Sequence, residues 1–199
     1  VDVSAKVKGI PSEDKLRASL TLDEVKRLAD TPCESDVLRR ASFFSILTGL
    51  RHIDIKNLKW KQISQTSNGS WRIDISQIKT KVGAYLPISD QAYAMCGTRS
   101  EDEELLVFAG LQNAAWISKP LKKWIEAAGI KKHITFHLSR HSYATLQLEL
   151  GTDIYTIKSM LGHTNVKTTQ IYSHIVDSAK EKAANTIHID NLQSQQPII

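Results

Sequence analysis

His137 and Arg140 stand three residues apart in the run His137-Leu138-Ser139-Arg140, and in this 199-residue chain they are well suited to handling a phosphate. A guanidinium fork holds two non-bridging phosphate oxygens at once, an imidazole donates hydrogen bonds or moves a proton, and a phenol can attack phosphorus. Residues of these types recur around the pair: Arg51 upstream in Thr48-Gly49-Leu50-Arg51, His163 in Leu161-Gly162-His163, and Tyr172 in Thr168-Thr169-Gln170-Ile171-Tyr172. Lys79 lies between them in Ile78-Lys79-Thr80-Lys81-Val82-Gly83. Transesterification at phosphorus needs a nucleophile, an acid for the leaving group and a cationic clamp for the added charge, and this set contains all three.

Each residue alone has an ordinary explanation. Arg51 could be a surface arginine, and a lysine at a hairpin tip such as Lys79 commonly only guards a sheet edge. His137 and Arg140 could be a hydrogen-bonded helix start, and His163 a cation placed favourably at a helix C-terminus. Tyr172 on an apolar helix face would by default be core. Taken together, in this order and in these local contexts, they point elsewhere. The chain resembles the tyrosine recombinases, the phage integrase family, from about Thr21 to about Ala184. The run Thr48-Gly49-Leu50-Arg51-His52-Ile53-Asp54 matches the family's first arginine box. Ile78 to Gly83, leading into Ala84-Tyr85-Leu86-Pro87-Ile88, matches its lysine hairpin, and the H-x-x-R, L-G-H and tyrosine boxes are those quoted above. One departure is His52, at a position that is often small or aliphatic in the family.

The resemblance implies an α+β, mainly α-helical fold, with a small antiparallel sheet or hairpin at about residues 70–88 beside a helical bundle. It implies a site made of Arg51, Lys79, His137, Arg140, His163 and Tyr172, with Tyr172 as nucleophile. Arg51 and Arg140 would hold the non-bridging oxygens, Lys79 protonate the departing 5'-oxygen, His137 handle the tyrosine proton and His163 donate to the phosphate. The reaction would be site-specific cutting and rejoining of DNA through a 3'-phosphotyrosyl link, for integration or excision of a phage or conjugative element, with no metal, ATP or other cofactor. The implied partner is double-stranded DNA at attachment or crossover sites, bound by a homotetramer on paired sites that is monomeric when free, with DNA-bending accessory proteins. A chromosome-dimer resolvase, a type IB topoisomerase-like enzyme and a DNA-binding regulator on the same scaffold are the alternatives. A plain helical interaction module would bind no duplex DNA at moderate salt.

Residues 1–18 carry Gly9 and Pro11 without a strong period and read as a leader or linker. Residues 19–185 form the expected catalytic domain, and 186–199 a tail of the kind family members pass to a neighbouring protomer. The family's N-terminal DNA-binding domain or domains are expected to be absent from this chain.

The elements that must position these residues are readable from spacing. Thr21 and Glu24 form a capping box ahead of Val25, Leu28 and Ala29. A second helix, from about Glu34, carries Val37, Leu38, Ala41, Phe44, Ser45 and Leu47 and stops at Gly49, just before Arg51. A helical turn over Ile53 to Leu58 follows, then strands marked by Trp71, Ile73 and Ile75 and by Tyr85, Leu86 and Ile88. Helices are expected over Asp90 to Met95, Ala114 to Ala128, Thr135 to Leu150 with Thr135 as cap, and Asp153 to Leu161. A last helix, from near Asn165, carries Tyr172. His137 and Arg140 then share one helix face. Trp71 and Trp116 read as core, and His141 as a structural hydrogen-bonding residue.

Hydrophobic residues at 41% and charged residues at 24% are ordinary for a soluble domain, and no apolar run nears the roughly 20 residues of a membrane span. Cytoplasmic location, nucleoid-associated when DNA is bound, is the default. The net charge of +5 suits a polyanion partner without requiring one. Cys33 and Cys96 lack the spacing of a zinc site and are expected to be reduced thiols. The His137/His141 pair has no intervening glutamate of the H-E-x-x-H kind.

Overall fold

Thr21 opens the first helix, α1 (Leu22–Asp30), by the reciprocal capping box its spacing predicts: its hydroxyl accepts from the Glu24 amide, and the Glu24 carboxylate accepts from the Thr21 amide. In this computed structural model, residues 18–75 and 84–162 are described. The second helix, α2 (Asp36–Thr48), starts two residues later than the apolar spacing suggests, because the Ser35 side chain caps it by accepting from the Leu38 amide. Its C-terminal half is buried on nearly every side. Ser42, Phe43, Phe44, Ser45, Ile46 and Thr48 all lie inside, with α2 packed chiefly against α6 (Phe136–Glu149) and also against α4 (Asp90–Ala94). Small hydroxyl residues suit such a central helix because they allow close approach and can turn their polar atoms to local carbonyls. Ser45 donates to Leu50 O at 3.0 Å and Thr48 to Phe44 O at 2.6 Å.

A short helix, α3 (His52–Lys56), leads to a three-stranded antiparallel sheet in the order β1 (Ile63–Gln65), β2 (Trp71–Ile75), β3 (Ala84–Ile88). The register sets Ile63 beside Ile73 and Ile73 beside Leu86, so one buried aliphatic row crosses all three strands. The expected sheet near residues 70–88 is therefore present and is extended by β1, whose three residues are too few to show alternation. Trp71 lies flat against Tyr93 of α4, with ring centroids 3.6 Å apart, which joins the sheet to the helices. Tyr85, on the other face of β3 from Leu86, is exposed.

Helix α5 (Ala114–Ala127) buries Ile117, Leu121, Trp124 and Ile125, and Trp124 donates its indole N–H to Thr31 O at 2.9 Å. Trp116 does not belong to the core: it is 73% exposed. The buried stripe of α5 runs through positions 117, 121, 124 and 125, and Trp116, one residue before its start, points outward. Thr135 occupies the N-cap position of α6 as expected, but its hydroxyl makes no capping bond. The last described helix, α7 (Ile154–Met160), is capped by Asp153, whose carboxylate accepts from the Tyr155 and Thr156 amides.

Most buried apolar residues form one core under the sheet and around α2, while Tyr143, Ala144, Leu148, Ile157 and Leu161 form a second cluster between α6 and α7. Both cysteines are free thiols, and burial pushes the Cys96 thiol up to about 12. Among the described residues no helix is long and apolar enough to cross a membrane, and no group of potential metal ligands converges.

Gly49 closes α2 at φ 72°, and a Cβ there would lie 2.6 Å from Tyr143 Cδ1 and 2.7 Å from Leu161 Cδ2. Gly49→Ala thus meets two penalties, left-handed strain and overpacking against a buried ring, and should cost about 3 kcal/mol in urea unfolding. A loss under about 1 kcal/mol would show that Tyr143 and Leu161 yield easily.

Candidate active site

Three of the residues singled out by their spacing fall within the described structure: Arg51, His137 and Arg140. Lys79, His163 and Tyr172 lie outside the described residues. Arg51 is exposed at the N-cap position of α3, with an extended backbone (φ −74°, ψ 153°), and its side chain makes no capping bond. That placement follows from Gly49, whose left-handed turn ends α2 and lets the chain restart two residues on as α3.

His137 and Arg140 both sit in the first turns of α6, yet their environments differ. His137 is exposed, with its ring edge-on to His141 at a centroid distance of 4.8 Å. Arg140 is only 6% exposed. Its Nη1 donates to Gly49 O at 2.7 Å and its Nη2 donates to Leu161 O at 2.6 Å. The two carbonyls belong to separate segments. One precedes Arg51 by two residues and the other precedes His163 by two, so a single planar guanidinium joins the backbones of two motif loops. Lysine, a point charge on a flexible stem, cannot reproduce that fork geometry.

His52, the departure from the family pattern, has a local role. Its Nε2 lies 3.0 Å from Gln112 O, where a neutral ring donates to the carbonyl, and its ring stands edge-on to Phe136 at 4.9 Å. Lys56, one turn on, donates to Asn113 Oδ1 at 2.5 Å. Together these bonds fasten α3, and Arg51 at its start, to the segment that opens α5 and to the first residue of α6. Periodicity cannot detect this, because the partner at Gln112 is a main-chain atom 60 residues away in sequence.

Burial lowers the His52 pKa, the Gln112 carbonyl opposes that shift, and the Lys56 charge adds to it. A histidine whose folded pKa lies below its unfolded value favours the fold above about pH 6.5, and this contribution is lost as pH falls through the folded pKa. Between pH 7 and pH 5 the native chain should therefore lose more stability than His52→Gln does. Parallel urea melts at the two pH values measure this, and equal losses would remove His52 as a source of pH dependence.

Tyr143 and the carbonyls of Gly49 and Leu161 were not legible as parts of the site. Gly49 reads in sequence as a helix stop and a member of the first arginine box, and neither reading gives its main-chain oxygen a role. Tyr143 had one available signal, its position three residues after Arg140 on the same helix.

Mainly helical, with a small three-stranded antiparallel sheet, the chain has the fold of tyrosine recombinase catalytic domains. The catalytic domain of bacteriophage HP1 integrase superposes with a TM-score of 0.62 at 23% identity, covering 89% of this chain and 99% of that one. The XerH site-specific recombinase, crystallised on a palindromic difH substrate, superposes with a TM-score of 0.69 at 22% identity, covering 87% of this chain and 54% of that one. Residues 18–179 match the phage integrase family, and the chain belongs to that family. A tyrosine recombinase of Thermosipho africanus is 30% identical over 180 residues, covering 87% of this chain and 62% of that protein. The tyrosine recombinase XerD of Corynebacterium glutamicum is 48% identical over a 71-residue stretch, 35% of this chain and 23% of that protein. The chain thus spans less than two thirds of the length of these relatives.

Proposed function

We propose that this chain is the catalytic part of a site-specific DNA recombinase that cuts and rejoins duplex DNA through a 3'-phosphotyrosyl link, serving integration and excision of a mobile element. The observation that carries the reading is Arg140, whose guanidinium bonds the backbone beside Arg51 and the backbone beside His163. A phosphate-handling site assembled from distant boxes needs such a junction, and family membership supplies the chemical context.

In the proposed reaction the Tyr172 phenol oxygen forms a bond to the scissile phosphorus while the bond from phosphorus to the 5'-oxygen breaks. The phenolic proton passes to His137 and the Lys79 ammonium gives a proton to the departing 5'-oxygen. Arg51 and Arg140 offset the added charge on the non-bridging oxygens, and His163 donates to one of them. An unperturbed phenol, with a pKa of about 10, is mainly un-ionised at neutral pH, so its attack depends on these neighbours. The phosphotyrosyl bond retains the energy of the broken phosphodiester, and attack by a 5'-hydroxyl from another strand completes exchange. The enzyme is read as cytoplasmic, monomeric when free and tetrameric on paired sites.

The test is incubation of the chain with a pool of fluorescent nicked duplexes of randomised arm sequence, followed by a denaturing gel. A nick lets the short 5'-hydroxyl fragment diffuse away and so traps the covalent intermediate. A labelled band at the mass of the protein plus DNA is expected; its absence would count against the proposed chemistry. Exchange between two captured sites, rather than relaxation of a supercoiled plasmid, is the outcome expected of a recombinase over a topoisomerase-like enzyme.

A further inference from the structure

We propose that Tyr143 is a positioning residue which, with Arg140 three residues before it on α6, clasps the Arg51 loop and the end of α7 to one helix. The proposal rests on the reading that Arg51 and His163 serve the same phosphate. Tyr143 is 1% exposed and touches both segments. Its ring lies directly over Gly49, where a Cβ would come within 2.6 Å of Cδ1 and 2.9 Å of Cε1. Its hydroxyl donates to Met160 Sδ at 3.1 Å, at the last residue of α7 and immediately before Leu161. Arg140 bonds the carbonyls of Gly49 and Leu161. Two side chains of one helix therefore each grip the same two places, one by charge-assisted hydrogen bonds and one by a ring face and a phenol.

The arrangement differs from ordinary packing in three ways. A thioether is a weak acceptor, and burying a phenol on it gives up the stronger partners a tyrosine usually finds. Phenylalanine would fill the same volume without a hydroxyl to satisfy, so the hydroxyl adds direction rather than bulk. Burial also pushes the phenol up to about 12, with the Arg140 charge opposing, so it stays a donor well above the neutral range. Gly49, finally, is a residue without a side chain at the point where the ring needs a flat surface, and Leu161 closes the far side. Groups that must meet one phosphate from separate loops gain rate from being held to a fraction of an ångström, which fits a rigid helix as their common mount.

Two measurements test this on the full chain. The first is amide hydrogen exchange without DNA, comparing Tyr143→Leu with Leu148→Ala, which truncates another residue of the same α6–α7 cluster. Tyr143→Leu should raise exchange both at 49–52 and at 160–162, whereas Leu148→Ala should spare 49–52. Unchanged exchange at 49–52 in Tyr143→Leu, or an equal rise in Leu148→Ala, would overturn the clasp. The second is the rate of covalent adduct formation at saturating nicked-duplex pool. Tyr143→Leu should slow it about 100-fold and Tyr143→Phe about five-fold, with duplex affinity unchanged. Because the hydroxyl acts through the thioether, Met160→Leu should match Tyr143→Phe, and the double variant should be no slower than either. Native rates in both Tyr143 variants, or additive losses in the double variant, would overturn the positioning role. Loss of adduct from the unmodified chain strikes instead at the proposed chemistry, and the exchange measurement still decides the clasp.

Discussion

Tyr172→Phe is expected to abolish covalent capture of DNA, a fall on the order of 10⁴-fold or more, while duplex affinity stays within about two-fold of the native chain. The substitution removes one oxygen and keeps the ring, so packing and charge are nearly conserved. The proposed reaction needs that oxygen to form the bond to phosphorus, and water attacking in its place would leave a nicked strand with no protein attached. The comparison is made on nicked duplexes, with adduct read on a denaturing gel and affinity by fluorescence anisotropy in the same buffer. Salt must be held constant, since contacts to the DNA backbone weaken steeply with ionic strength. Persistence of the adduct in Tyr172→Phe would sink the nucleophile assignment outright. Transfer of capture to another residue would show as an adduct at a different peptide.

Arg140 carries the second large effect, and here stability and chemistry should both respond. Arg140→Ala removes the donor to two carbonyls, Gly49 O and Leu161 O, at a residue only 6% exposed. Leaving buried carbonyls unsatisfied costs about 1–3 kcal/mol each, so the variant should lose roughly 3 kcal/mol and melt roughly 10 °C lower. Arg140→Lys keeps the charge but can bond one carbonyl well, and it should recover about half of that stability. Adduct formation should not recover in parallel. If the guanidinium both holds the loops and faces the phosphate, lysine remains at least about 100-fold slow even at temperatures where it is fully folded. Adduct formation by Arg140→Lys at the native rate would reduce Arg140 to a structural bolt.

Local patterns were legible where the cause is local. The Thr21 and Glu24 capping box, the stop of α2 at Gly49, and the two main strands of the sheet follow from caps, positive φ and alternation, each acting within a few residues. Trp116 shows the limit: large apolar residues are usually buried, but its exposure depends on which stripe of α5 meets the core, and that is set by α5's neighbours. Strand β1 escaped for a related reason, since three residues gain strand character only from the partner at Trp71 to Ile73. The one-sided spacing of α2 likewise understated a helix enclosed on nearly every side, because enclosure is a property of the elements packed around it.

The sequence by itself determined the kinds of groups available and their order along the chain: arginine, lysine, the H-x-x-R pair, histidine, tyrosine. It also determined the punctuation that puts Arg51 at a helix start and Arg140 one turn into another, because caps and glycine turns act through neighbouring backbone atoms. Only the tertiary structure decided that the two residues of the H-x-x-R pair live in different environments, His137 exposed and Arg140 buried on two carbonyls. Those carbonyls lie 91 and 21 residues from Arg140 along the chain. Every residue carries such a carbonyl, so residue types cannot say which two Arg140 will meet; the packing of α6 against α2 and α7 does.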